Sequence, residues 1–213
     1  MEPVTTFKTG ALSVRKDMMA RLPAMHISTF KRNVRDLSSP SIMINELNLT
    51  SPDTKKLNLC EGSLRVLNTP NAGGNSVWSE VLSMEMLSML YCAKLKATEM
   101  EIEYMCEGSI TDYSVYLGES VIGVSVTRAM KYRGVFSYED AVALLTKKMK
   151  GVMKSSENVV EEHKWSKQVL HVWVQEPYMV ALVQKAYAAL PELWSNTVVL
   201  LTVCGENMGW IFK

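Results

Sequence analysis

The chain is poor in the residues that usually announce a metal centre, a membrane span or a nucleotide fold. Its four cysteines, Cys60, Cys92, Cys106 and Cys204, show no CxxC or CxxxC spacing, and three lie in apolar segments where a thiol acts as a small hydrophobe. This usage fits a reducing compartment and excludes a disulfide framework. Three histidines, His26, His163 and His171, match no zinc spacing. No run approaches the roughly 18 apolar residues that cross a bilayer. The N-terminus lacks the charged-then-apolar pattern of a secretory signal, so the expectation is an intracellular protein, cytoplasmic or nuclear, without membrane attachment. Seven basic against three acidic residues in the first 37 leave organelle import open. There is no GxSxG elbow, no phosphate loop of the GxxxxGK[ST] type, no GxGxxG and no HExxH, so these hydrolase, nucleotide-binding and zincin mechanisms lack their parts. A net charge of +1 supplies no global field for nucleic acid or anionic lipid.

What is present is a chain of 213 residues with 47% hydrophobic content, enough for one substantial core. Residues 11–21 are helix-compatible, and after Pro23 a helix places Ile27, Phe30, Val34 and Leu37 on one face with Lys31, Arg32 and Arg35 on the other. That basic face reads as a solvated surface or as a contact for nucleic acid or membrane. Residues 38–75 are rich in Ser, Pro, Asn and Thr, interrupted by strand-like fragments; Glu61-Gly62 could close a hairpin, and Asn71–Asn75 reads as a linker. The expected organisation is an N-terminal arm over 1–75 and an α/β domain over 76–213.

From Ser76 onward the periodicities predict a helix to about Leu95, three strands within Thr98–Met130, and a helix capped by Ser137-Tyr138-Glu139-Asp140 and stopped by Gly151. A buried strand KQVLHVWVQ, a helix opened by Pro177 and a buried strand NTVVLLTVCG follow. Short connections make the first three strands antiparallel, and helical crossovers make the last two parallel. The prediction is a mixed central sheet flanked by helices on both faces.

Alternation puts Asp112, Ser114 and Tyr116 on one face of the second strand, and Ser125 with Thr127 on one face of the third, opposite Arg128. The order helix, three strands, helix, strand, with Glu80 in the first helix and Asp112 in the second strand, resembles the PD-(D/E)xK superfamily of restriction-endonuclease-like nucleases. The likeness runs from Ser76 to about Cys204, giving an αβββαβ core plus a further helix and strand. It implies Asp112 and Glu80 as ligands of Mg2+ or Mn2+, and Ser125, Thr127 and Arg128 at the family's third-strand signature. There this chain departs from the pattern: Ser125 stands where Asp or Glu would be and Thr127 where Lys would be. Thr111 replaces the proline before the aspartate.

Glu99, Glu101 and Glu103 alternate, either as a source of a replacement carboxylate or as the solvated face of an edge strand. Lys131, Arg133, Lys147 and Lys148, with Lys167 and Gln168 at the fourth strand, are candidates for contacting a phosphate backbone. The resemblance therefore implies a nucleic-acid-associated, nuclease-like protein whose degenerate site is a metal-dependent phosphodiesterase. The alternative is an inactive version of the fold, without cofactor, that binds a protein partner or forms a homodimer.

Overall fold

A computed structural model describes residues 10–13, 15–70 and 76–213. The predicted linker 71–75 lies outside the described residues. Eight strands form one sheet: β1 (Gly10–Ser13), β2 (Met18–Leu22), β3 (Ser41–Leu49), β4 (Lys94–Thr98), β5 (Tyr113–Leu117), β6 (Ser120–Ala129), β7 (Lys167–Val174) and β8 (Thr197–Cys204). Their order is β1-β2-β3-β8-β7-β6-β5-β4. The helices are α1 (His26–Arg35), α2 (Glu61–Asn68), α3 (Val77–Tyr91), α4 (Tyr138–Asn158) and α5 (Pro177–Ala188).

The mixed sheet has the expected pairing. β4, β5 and β6 are antiparallel neighbours, and β6, β7 and β8 are parallel ones reached through α4 and α5. The sheet extends further than anticipated, because β3 pairs in parallel with β8 and carries β2 and β1 antiparallel beyond it. The segment read as an arm thus supplies three strands of the same sheet. β7 is buried at every position because sheet neighbours flank it and helices cover both faces.

One face packs Val124, Val126, Val169, Trp173, Val198 and Leu200 under α1, α2 and α3. The other packs Leu170, Val172, Val199 and Leu201 under α4 and α5. Eleven of the fifteen residues of α3 are buried. It is an internal helix, wedged between the sheet and α2.

Four local expectations are corrected. Of residues 11–21, those described are not helical: Met18, Ala20 and Leu22 are buried in alternation, and pairing with β3 overrides helix compatibility. Glu61-Gly62 opens α2 instead of a hairpin, with the Cys60 thiol accepting from the Ser63 N–H. Gly62 serves a close approach, since a Cβ there would stand 3.1 Å from the Leu95 Cβ. Gly151 does not stop α4, which runs on to Asn158. The first of the three central strands ends at Thr98, where the stretch Glu99–Glu101 coils into one 3-10 turn held by the Thr98 N–H donating to Glu101 Oε2 at 2.8 Å.

Candidate functional site

The register of the central strands creates a gap. β5 pairs with Ser120–Val124 of β6, whereas β7 pairs with β6 as far as Ala129. Beyond Val124, the side of β6 that faced β5 has no strand partner. The chain preceding β5 enters there, and Asp112, one residue before the strand, turns its carboxylate into the gap. Its Oδ2 accepts the Val126 N–H at 2.6 Å, replacing the missing ladder bond.

A cavity of about 320 Å³ opens at this point, lined by Glu80, Glu99, Asp112, Thr127, Arg128 and Lys148 among others. Each arrives by a separate element. Glu80 comes from the first turn of α3, is 5% exposed, and accepts from the Ser76 hydroxyl at 2.8 Å. Glu99 comes from the 3-10 turn after β4, Thr127 and Arg128 from the unpaired edge of β6, and Lys148 from α4 on the opposite face of the sheet.

Three carboxylates, of Glu80, Glu99 and Asp112, line the cavity with two cations, Arg128 and Lys148. Burial, then the charge of Glu80, push the Asp112 carboxyl up to about 7, against the opposing bond from Val126 and the field of Lys148. Glu80 is raised as well, chiefly by burial, with Glu99 adding to the rise and Lys148 and Arg128 opposing it. Near neutrality one proton or one bound cation relieves this crowding. The donors are hard carboxylate oxygens, the chemistry that Mg2+ and Mn2+ take. Among the described residues, however, no three His, Cys, Asp or Glu side chains are gathered closely enough to hold a metal ion. The donor set fits in kind and is incomplete in number.

Of the residues singled out in the sequence, Glu80, Asp112, Thr127, Arg128 and Lys148 come together. The Arg128 guanidinium is steadied by donating to the Ile211 carbonyl at 2.7 Å. Ser125 is 7% exposed and does not line the cavity. Lys131 is held by Asp140 at 2.8 Å, Arg133 lies over the Tyr132 ring, and Lys147 is exposed on α4; none of the three lines the cavity.

Lys167 and Gln168 are corrected to supporting roles. The Lys167 ammonium is buried and donates to the Asp36 and Ser39 carbonyls, tying down the chain after α1. Gln168 donates to Ser156 Oγ at 2.8 Å behind Thr111, whose hydroxyl donates to Ser155 Oγ at 3.0 Å. That network braces the residue preceding Asp112. Glu99 is the residue whose role sequence spacing obscured, because a strand reading put it on an edge. The signal was there in Thr98-Glu99-Met100-Glu101, a capping-box pattern that predicts a turn.

A second polar chain is wholly internal. His171 contacts Ser83 Oγ at 2.6 Å and Thr202 Oγ1 at 2.8 Å, and Ser83 Oγ meets the Tyr113 hydroxyl at 2.6 Å. Burial lowers His171 to about 3, so it is neutral and structural, with no cysteine in the chain of contacts.

No family model matches this chain. It is 41% identical over 186 residues to the AAC-rich mRNA clone AAC4 protein of Dictyostelium discoideum, a match taking in 83% of this chain and 27% of that protein. The chain spans about a quarter of that relative's length. Among solved structures, Pyrococcus furiosus SfsA in complex with Ca2+ aligns over 92% of this chain and 87% of that one, at 12% identity and a TM-score of 0.32, a likeness too slight to bear on the fold. Among the described residues, no helix is long and apolar enough to cross a membrane.

Proposed function

We propose that the cavity beside the unpaired edge of β6 is a phosphodiester-processing site, and that the chain is a nuclease-like, nucleic-acid-associated protein of degenerate type. The supporting observation is the convergence of Glu80, Glu99 and Asp112 with Lys148 in one cavity at the end of β5. The αβββαβ order found from α3 to β7 is consistent with it.

In this reading Asp112 and Glu80 would hold a divalent cation, with Glu99 lining the same cavity. Mg2+ or Mn2+, when bound, would supply charge to polarise the phosphoryl oxygens. The chain's own groups do the rest. Val126 fixes one oxygen of Asp112 through its N–H, leaving the other for the cation. Lys148 takes the place of the third-strand lysine that Thr127 lacks: its ammonium is close enough to lower both Glu80 and Asp112, and would hold a phosphoryl oxygen as negative charge develops. Arg128, anchored through one nitrogen on Ile211, offers its remaining N–H groups to the same phosphate.

The test is cleavage of labelled single- and double-stranded DNA and RNA in Mg2+ or Mn2+. Turnover abolished in Asp112→Ala and reduced at least tenfold in Lys148→Ala is the expected result, from loss of a ligand and of a transition-state cation. Cleavage indifferent to Asp112→Ala would sink the assignment. A second reading has its own support in the uncharged Ser125 and Thr127 and in the incomplete ligand set. It is an inactive nuclease fold that serves as an interaction module, and it predicts no metal-dependent turnover and a partner retained by Asp112→Ala.

A further inference from the structure

The basic face of α1 is not an evenly solvated surface. Lys31 and Arg35 from α1 and Lys94, the first residue of β4, line a concave pocket of about 360 Å³ together with Tyr91, Cys92 and Tyr116. No carboxylate lines it. None of the three cations takes part in an ion pair or side-chain hydrogen bond given for the described residues, in contrast to Arg15, Arg21, Arg65, Lys131 and Lys164, which each face a carboxylate. The nearby acids Asp36 and Glu119 are both exposed and neither lines the pocket. Like charges gathered in a concavity repel one another, and the arrangement is relieved when a polyanion enters.

The pocket has an aromatic wall. Tyr116 is 43% exposed on β5, beside the cations. A sheet-borne ring next to unpaired cations is the combination that takes an unstacked base with its phosphate: the ring stacks the base and the ammonium and guanidinium groups take the backbone. A duplex hides its base faces and a bilayer offers none, so the ring favours a single strand.

The placement suits such a strand. β4 runs from Lys94 at this pocket to Thr98, and Glu99 of the acidic cavity follows at once. The two concavities stand at opposite ends of a five-residue edge strand, about 15 Å apart along it.

We propose that Lys31, Arg35, Lys94 and Tyr116 form an anchoring site for single-stranded nucleic acid, separate from the acidic cavity. The choice of nucleic acid as the polyanion rests partly on the nuclease reading; the existence of a polyanion site does not.

The experiment is fluorescence anisotropy with a labelled single-stranded oligonucleotide of about a dozen nucleotides, in EDTA so that no metal-dependent cleavage intervenes. The variants are the triple Lys31→Gln, Arg35→Gln, Lys94→Gln; Tyr116→Ala; and a control triple at exposed lysines elsewhere, Lys16→Gln, Lys55→Gln, Lys56→Gln. Circular dichroism melts establish that each is folded. Each phosphate contact on a single strand contributes about 0.7 to the slope of log K against log salt. Removal of three lowers the slope by about 2 and weakens binding about 100-fold at 0.1 M salt. Tyr116→Ala weakens binding about tenfold with the slope unchanged. The control stays within about twofold of wild type by the same reasoning.

Undiminished binding by the pocket triple, or equal loss in the control, overturns the site. Binding to phosphatidylserine vesicles that depends on the three cations, with none to the oligonucleotide, overturns the strand in favour of a lipid surface. Because the anisotropy is read in EDTA and needs no turnover, failure of the nuclease reading and failure of this site are read separately.

Discussion

Asp112→Asn isolates the electrostatic cost that the acidic cavity places on the fold. Burial, then the charge of Glu80, push the folded carboxyl up to about 7 from the ordinary aspartate value near 3.8. A raised carboxylate pKa means that the folded chain holds its proton more tightly than the unfolded one. The associated stability is therefore fully present below about pH 4 and is lost as pH rises through 7. About three pKa units correspond to about 4 kcal/mol, and partial exposure of Asp112 reduces this to roughly 2–4 kcal/mol. Asparagine keeps the shape and an oxygen that accepts the Val126 N–H, and it cannot ionise.

Wild type and Asp112→Asn should therefore melt together near pH 4 and diverge with rising pH. At about pH 8 the variant should be higher by roughly 5–15 °C for a chain of this size. His26 and His171, lowered to about 4 and about 3 by burial, act in the same window with the opposite sign. Their stabilising neutral forms are matched in the unfolded chain above 6.5, and stability falls as pH drops below that value. Both proteins share that loss, so the difference between their melting curves reports Asp112 alone. Thermal melts by circular dichroism across this range, with and without Mn2+, make the measurement. Mn2+ should raise the wild type at pH 8 and leave the variant unmoved. A variant no more stable than wild type at pH 8, or a difference that does not change with pH, would refute the picture of a crowded acidic cavity.

Three other outcomes follow from the geometry. In a Lys148→Met background the difference between Asp and Asn at position 112 should level off at a higher pH and reach a larger plateau, because Lys148 lowers the folded Asp112 pKa; an unchanged plateau would remove Lys148 from the cavity's electrostatics. Glu85 is 1% exposed and takes both the Arg15 guanidinium at 2.6 Å and the Cys60 N–H at 2.7 Å, pinning Arg15 and Cys60 to α3. Glu85→Gln should cost about 2–3 kcal/mol by urea denaturation, since one buried bond is lost and Arg15 is left unpaired on that side. Gly123→Ala places a Cβ 2.8 Å from the Trp165 ring and should cost about 1–3 kcal/mol, with a shift in tryptophan emission as the ring is displaced; an unchanged urea midpoint would mean that the ring is not seated there.

Most of the architecture was legible because its signals were redundant. β7 and β8 read as unbroken apolar runs, α4 carried its capping box at Ser137–Asp140, and α5 its opening Pro177. Each agreed with its neighbours on a crossover topology. The failures fall where local and tertiary preferences compete. Residues 11–21 have helical composition, and pairing with β3 makes a strand of Met18–Leu22, on which β1 pairs in turn. Gly62 reads as a turn signal, yet it sits against the Leu95 and Met84 side chains, a fact that spacing does not contain, and Gly151 reads as a stop although α4 runs through it to Asn158.

Which residues line the cavity was legible in part, for Glu80, Asp112, Thr127 and Arg128, and their assembly was not. Period-two counting along β6 places Ser125 and Thr127 together and looks to them for the missing charge. The charge is instead brought by residues outside the strand, and this is possible because β5 stops pairing at Val124. Ending the ladder there leaves the edge of β6 open from both sides of the sheet. Glu80 reaches it from the α3 face and Lys148 from the α4 face, while the 3-10 turn after Thr98 swings Glu99 in from the end of β4. A carboxylate and a lysine two residues apart on one strand and the same pair supplied by a turn and a helix are chemically equivalent to a phosphate. They differ in how the fold holds them. Here the second arrangement depends on the turn Glu99–Glu101, held by the Thr98 N–H donating to Glu101, so the placement of Glu99 in the cavity is tied to a hydrogen bond two residues away from it.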